Sequence, residues 1–170
     1  MKNTKLVNYH SYNTTKSNIF DVITEKMQDP SKSTDIVVPH VCNIDCNVTT
    51  NFYKKACEYY PIIHQFTLAE NHNLGRCSIV KVKKEHNNTL WFCQMFTDKT
   101  SKYKNINYMY LQNCLLELRR FCLTSIKKEY LNLEIHTIKF GTGISGGRWS
   151  TVSDLISDSL QGIPTFIHLG

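Results

Sequence analysis

Four of the chain's seven glycines fall within Gly141-Thr142-Gly143-Ile144-Ser145-Gly146-Gly147. Glycines let a backbone turn with positive φ and bring its N–H groups close to an anion. The segment before them, Leu133 to Phe140, reads as a strand, and the segment after, Trp149 to Leu160, as an amphipathic helix. A helix start adds orphan N–H donors and a partial positive charge to such a turn. The chemistry on offer is phosphate binding. A tight strand-to-helix connection without a ligand has the same composition, so spacing leaves both readings open.

The cysteines are the other chemically notable set. Cys42 and Cys46 stand four apart with His40 just before them. No second close Cys/His pair supplies further ligands at a familiar spacing, and His64 and His72 are isolated. No metal and no cofactor are therefore expected. Seven cysteines is an odd number, and most fall inside apolar strand or helix patterns. That points to reduced, buried thiols in a cytoplasmic setting and to no disulfide framework. Met1-Lys2-Asn3-Thr4-Lys5 is not followed by an apolar signal stretch, and no apolar run reaches membrane-span length, so neither secretion nor membrane contact is expected.

The formal net charge is +6, spread over scattered lysines and arginines rather than one dense block. A mild positive field favours anionic ligands such as nucleotides, and at most weak, non-specific contact with nucleic acid. Oligomeric state is not legible. Abundant Asn, Lys, Ile and Tyr fit an AT-rich genome such as that of a phage or virus.

The elements that must position these residues follow from periodicity. A single domain over residues 1–170 is the natural reading for this length and 41% hydrophobic content. Leu6 to Tyr9 reads as a short strand. Ile19, Ile23 and Met27 recur at helical spacing. Asp35 to Cys42 is near-continuously apolar, as buried parallel strands are, with Pro39 marking a bulge or the strand's end. Phe52, Ala56 and Tyr59 mark a helix face stopped at Pro61. Ser78 to Lys83 and Leu90 to Phe96 read as antiparallel neighbours joined through His86-Asn87-Asn88. Leu111, Leu115, Leu118, Cys122 and Ile126 give the clearest helical stripe. Pro164 to Leu169 is a last strand. This order predicts an α/β fold, a three-layer α/β/α sandwich with a mixed central sheet.

The order of pieces resembles a macro domain over almost the whole chain, in the stand-alone branch typified by ADP-ribose-1''-phosphate phosphatases. Ile36 to Asn43 is similar to that branch's strand ending in H-x-C-N. Leu74 to Val82 is similar to its "LG" strand, followed by Trp91 to Met95. Gly141 to Trp149 is similar to its G-x-G-x-x-G-G-x-W signature. The resemblance implies that ADP-ribose or a derivative is the partner. Gly141, Thr142, Gly143, Ile144, Ser145, Gly146 and Gly147 would hold the diphosphate and distal ribose, and Asn43 the ribose hydroxyls. His40 matches a histidine proposed to act in phosphatase members. With Asp45 it is the general acid/base candidate, although a structural histidine and a plain loop carboxylate fit equally well.

The departures bear on activity. Where the family places a glycine-rich loop after the asparagine, this chain has Ile44-Asp45-Cys46-Asn47-Val48-Thr49-Thr50-Asn51. β-Branched residues resist positive φ. The family's adenine-reading motif near the first strand is replaced by Tyr9-His10-Ser11-Tyr12. Relatives that cleave ADP-ribosyl-glutamate place an aspartate where Ser145 stands, so that lysine–aspartate chemistry is not implied. The expectation is ADP-ribose recognition with weak hydrolysis. The alternative is a degenerate domain serving as a non-catalytic protein- or nucleotide-interaction module.

Overall fold

The computed structural model describes residues 12–45, 50–69, 72–99, 106–125, 132–143 and 145–170. The strand expected over Leu6–Tyr9 lies outside these residues, as do Ile126 and Ile144. The elements run β1 (Asn13–Thr15), α1 (Ile19–Gln28), β2 (Asp35–Asn43), α2 (Asn51–Tyr59), α3 (Ile62–Ala69), β3 (Cys77–Glu85), β4 (Asn88–Asp98), α4 (Tyr108–Thr124), β5 (Leu133–Ile138), α5 (Trp149–Ser159) and β6 (Thr165–His168). The strands form one sheet in the order β1-β6-β5-β2-β4-β3. The β3–β4 hairpin is antiparallel and every other described pairing is parallel.

Alternation along β2 explains the layers. Ile36 and Val38 face the core shared with Ile19, Ile23 and Met27 of α1, Phe52 and Ala56 of α2 and Ile63 of α3. Val37 and Val41 face the core shared with Leu111, Leu115 and Leu118 of α4 and Val152 and Ile156 of α5. A strand buried on both faces must be apolar throughout, which is why β2 reads as an unbroken run. The mixed-sheet α/β/α sandwich expected from the sequence is the fold that forms.

One detail differs from the expectation and another adds to it. Pro39 neither ends β2 nor bulges it: the ladder to β4 runs through Pro39 opposite Cys93, and the register shift falls later, between Cys42 and Asn43. The ladder from β2 to β5 covers Asp35 to Val37. The Pro39 carbonyl then accepts from Thr137 Oγ1 of β5 at 2.9 Å. A strand residue turns its N and its C=O to the same side, so the N–H that proline lacks falls beyond the backbone ladder, where a hydroxyl has taken over. Pro61 also does more than stop a helix. It lies between α2 and α3, where Ile63 N donates to Tyr60 O at 3.1 Å and His64 N to Pro61 O at 3.2 Å. Proline suits a first helical turn as well as it ends the preceding one.

Among the described residues, no helix is long and apolar enough to cross a membrane.

Candidate functional site

Parallel neighbours β5, β2 and β4 all run in one direction, so their C-terminal ends meet at one end of the sheet. Three segments leave there: the glycine loop after β5, Asn43 to Asp45 after β2, and the Thr97-Asp98 end of β4. Asn43 lies opposite Asp98 across the register shift. Ile44 N donates to Asp98 O at 3.0 Å, which extends the pairing one residue past the strand.

The glycine loop is a closed backbone ring. Gly147 N donates to Gly141 O at 2.7 Å, and Gly146 N to Gly143 O at 3.1 Å. Gly141 has φ +73, and a Cβ there would lie 2.7 Å from Ile106 Cδ1. A Cβ on Gly147 would lie 2.3 Å from Gly141 O. These two positions need glycine because the ring closes on itself, whatever the ligand. Gly143 is different: a Cβ there would meet nothing within 4 Å. Ile106 N donates to Ser145 O at 2.8 Å and straps the loop to the start of α4.

Helix α5 begins directly after this ring. Asn18, Thr50 and Asn107 each cap their helix with a side-chain oxygen, whereas Arg148 at the start of α5 makes no side-chain cap hydrogen bond. The Arg148 N–H is held by Tyr108 Oη at 2.9 Å. The first turn of α5 therefore keeps its positive end without a side-chain acceptor.

Asp98 is the residue that sequence reading missed. Its side chain crosses to the glycine loop, where Ser145 Oγ donates to Oδ2 at 2.8 Å, and Thr97 Oγ1 donates to the same oxygen at 3.2 Å. Oδ1 is buried and has no hydrogen-bond partner among the described residues. Burial raises the carboxyl above its ordinary range, opposed by the bonds from Ser145 and Thr97. In the sequence, Thr97-Asp98 is merely the polar end of an apolar run; its proximity to Ser145 depends on β2 lying between β5 and β4.

His40 sits on β2, 4% exposed. Its ring packs against Phe52 at 5.0 Å, with Tyr53 and Phe92 farther out, and Nε2 lies 3.3 Å from Thr50 Oγ1. Burial pushes its imidazole down to about 4. A neutral ring enclosed by aromatic side chains and the start of α2 has the surroundings of a core residue. Asp45 is exposed, two residues beyond Asn43. Ile144 lies outside the described residues, while Gly141, Thr142, Gly143, Ser145, Gly146 and Gly147 share the loop. The structure thus joins Asn43, the glycine loop and Asp98, and turns His40 toward α2.

The described cysteines are free thiols, and among the described residues no group of three or more His, Cys, Asp or Glu is arranged to hold a metal ion. What the strand ends bring together is the glycine loop, the Asn43 amide and one buried carboxylate.

By sequence, no protein-family model and no curated protein matches the chain. Solved structures do. A macrodomain protein from Streptomyces coelicolor matches with a TM-score of 0.66 at 21% identity, over 94% of this chain and 99% of that one. The macrodomain of Mycobacterium tuberculosis DarG matches with a TM-score of 0.67 at 13% identity, over 92% and 96%. The chain has the macrodomain fold. A third match, Thermosipho africanus DarTG in complex with ADP-ribose, has a TM-score of 0.68 at 16% identity, over 92% of this chain and 41% of that longer one. In open α/β sheets, ligands bind in the crevice outside the carboxyl ends of the strands. In this chain those strand ends carry the glycine loop, Asn43 and Asp98.

Proposed function

We propose that this macrodomain binds ADP-ribose, or a derivative such as ADP-ribose-1''-phosphate or an ADP-ribosyl adduct, at the C-terminal ends of β5, β2 and β4. The observation that carries the reading is the Gly141–Gly147 ring at the uncapped start of α5. Backbone N–H groups and a helix N-terminus together favour an anion such as a diphosphate. The solved DarTG complex, a fold neighbour of this chain, holds ADP-ribose. Asn43, at the end of β2, would hydrogen-bond ribose hydroxyls. Titration of the purified chain with ADP-ribose by calorimetry tests the reading directly. Saturable, stoichiometric heat is the expected result, and none at millimolar ligand overturns it.

Turnover, where it occurs, is slow. His40 is held as a neutral ring among aromatic side chains, and Asp45 is exposed. Catalysis would then rest on positioning and on stabilisation of charge by backbone N–H groups. Incubation with ADP-ribose-1''-phosphate or an ADP-ribosylated peptide should give product at rates far below those of efficient hydrolases. Rapid turnover abolished by His40→Ala or Asp45→Ala would reverse this assignment.

The composition of residues 44–51 favours the second reading, a non-catalytic interaction module. Each residue forced into a sparsely populated backbone region costs on the order of 1–3 kcal/mol. Replacing Cys46, Asn47, Thr49 and Asn51 with glycine is expected to tighten ADP-ribose binding by roughly tenfold or more. An unchanged Kd in a protein that already binds tightly would remove the loop from the argument.

A further inference from the structure

We propose that Asp98 takes up a proton when an anionic ligand occupies the glycine loop, so that the acid form of this side chain is the ligand-competent one. The inference rests on the reading that the loop receives the diphosphate of ADP-ribose, and adds the group that sets how affinity responds to pH.

The geometry is that of a carboxylate placed directly behind an anion cradle. Asp98 Oδ2 is one hydrogen bond, 2.8 Å, from Ser145 Oγ, and Ser145 belongs to the ring. Asp98 is 9% exposed, so solvent screens it little. Its Oδ1 is buried with no hydrogen-bond partner among the described residues, which leaves half of the carboxylate's charge without a donor. A second anion brought to the same loop makes the ionised form costlier still, because like charges at short range disfavour one another's ionisation.

Protonation resolves the conflict at one atom. The proton goes to Oδ1, and Oδ2 remains the acceptor for Ser145 and Thr97, so the strap on the loop survives. Oδ1 changes from an acceptor, which an anionic oxygen repels, to a donor, which it attracts. Burial already raises this carboxyl, against the bonds from Ser145 and Thr97, which lowers the cost of adding the proton.

Among the described residues, the titratable or charged groups toward the ends of these strands are His40 and Asp45 on and after β2, Lys99 after β4, and Lys139 and Arg148 on either side of the glycine ring, while Asp35, Glu134 and His136 lie farther back along β2 and β5. Among the described residues, the causes that act on Asp98 are burial and its two hydrogen bonds. His40 on β2 and His168 at the end of β6 are further buried titratable groups toward these strand ends.

The test is calorimetry of ADP-ribose binding between about pH 5 and pH 7, in buffers of different ionisation enthalpy, which reads proton uptake directly. The native chain is expected to take up as much as one proton per ligand bound. Its Kd should fall by up to about tenfold per pH unit as pH falls. Asp98→Asn keeps the shape of the acid form and an acceptor for Ser145. It should bind at pH 7 at least as tightly as the native chain binds at pH 5, with the uptake lost. Native binding without proton uptake overturns the proposal without any variant. Uptake undiminished in Asp98→Asn also overturns it and assigns the proton to another group. Absence of ADP-ribose binding at every pH overturns the ligand reading itself, and the coupling with it.

Discussion

Gly143 and Gly147 are four residues apart and differ in what a side chain would meet. At Gly147 a Cβ runs into the Gly141 carbonyl at 2.3 Å, so the backbone itself must move. Gly147→Ala is expected to destabilise the chain by roughly 1–3 kcal/mol, read as a lower urea midpoint at unchanged m. At Gly143 the space is open. Gly143→Val should leave the urea midpoint within about 0.5 kcal/mol of native and weaken ADP-ribose binding by at least tenfold, because the branched side chain stands where phosphate oxygens would approach bare backbone. Equal affinities for native and Gly143→Val would mean that the ligand does not use this loop. The pair separates glycines that the fold requires from one that only a ligand would require.

At the scale of elements, polar contacts, most of them partly buried, tie α1 to the β1–β6–β5 edge of the sheet. Lys26 of α1 pairs with Glu134 Oε2 of β5 at 2.9 Å, and the same oxygen lies 2.8 Å from His136 Nε2. His136 Nδ1 lies 2.9 Å from His168 Nε2 of β6, whose Nδ1 reaches Ser17 at the approach to α1. The His136 hydrogen bond, reinforced by Lys26 and opposed by burial, holds the Glu134 carboxyl down to about 2. The sign follows: a carboxyl depressed in the folded state contributes stability that is present above its ordinary 4.5 and lost as pH falls through about 2. Glu134→Gln is expected to cost about 1–3 kcal/mol at neutral pH, since it breaks a charged contact and leaves Lys26 and His136 without their carboxylate. In a denaturation series, the gap between variant and native should close as pH falls toward 2. A gap that stays constant would show that the carboxylate charge is not what holds these elements.

The molecule as a whole should be acid-sensitive before its carboxylates titrate. His40 is buried, and burial lowers its imidazole from 6.5 to about 4. His168 is lowered too, by burial first and by His136 second. A base held neutral in the fold binds its proton more readily once unfolded. Its contribution is therefore fully present above 6.5 and lost as pH falls toward 4. For His40 that loss amounts to roughly 3 kcal/mol at about 1.4 kcal/mol per pH unit. His40→Gln should flatten the fall in stability between pH 6.5 and pH 4 by close to one proton, measured as the slope of unfolding free energy against pH. An unaltered slope would mean that His40 remains able to protonate in the native state.

Local pattern was enough for α1, β2, the β3–β4 hairpin, α4 and α5, because each shows its burial as a period along the chain: Ile19, Ile23 and Met27 for a helix with one covered face, an unbroken apolar run for a strand covered on both. The glycine ring was legible for the same reason, since its closure needs bare backbone at fixed spacing in one short segment. Pro39 was misread because a proline survives inside a strand where its carbonyl meets a neighbouring hydroxyl and its missing N–H falls beyond the backbone ladder, and that neighbour is distant in sequence. Asp98 was invisible for a related reason. Its role depends on meeting Ser145, 47 positions away, across the end of β2. The sequence determined which residues could bind an anion and which segments carry them; the order of β5, β2 and β4 decided which carboxylate stands behind that anion, because strand order is set by packing of both sheet faces against helices and not by any local pattern.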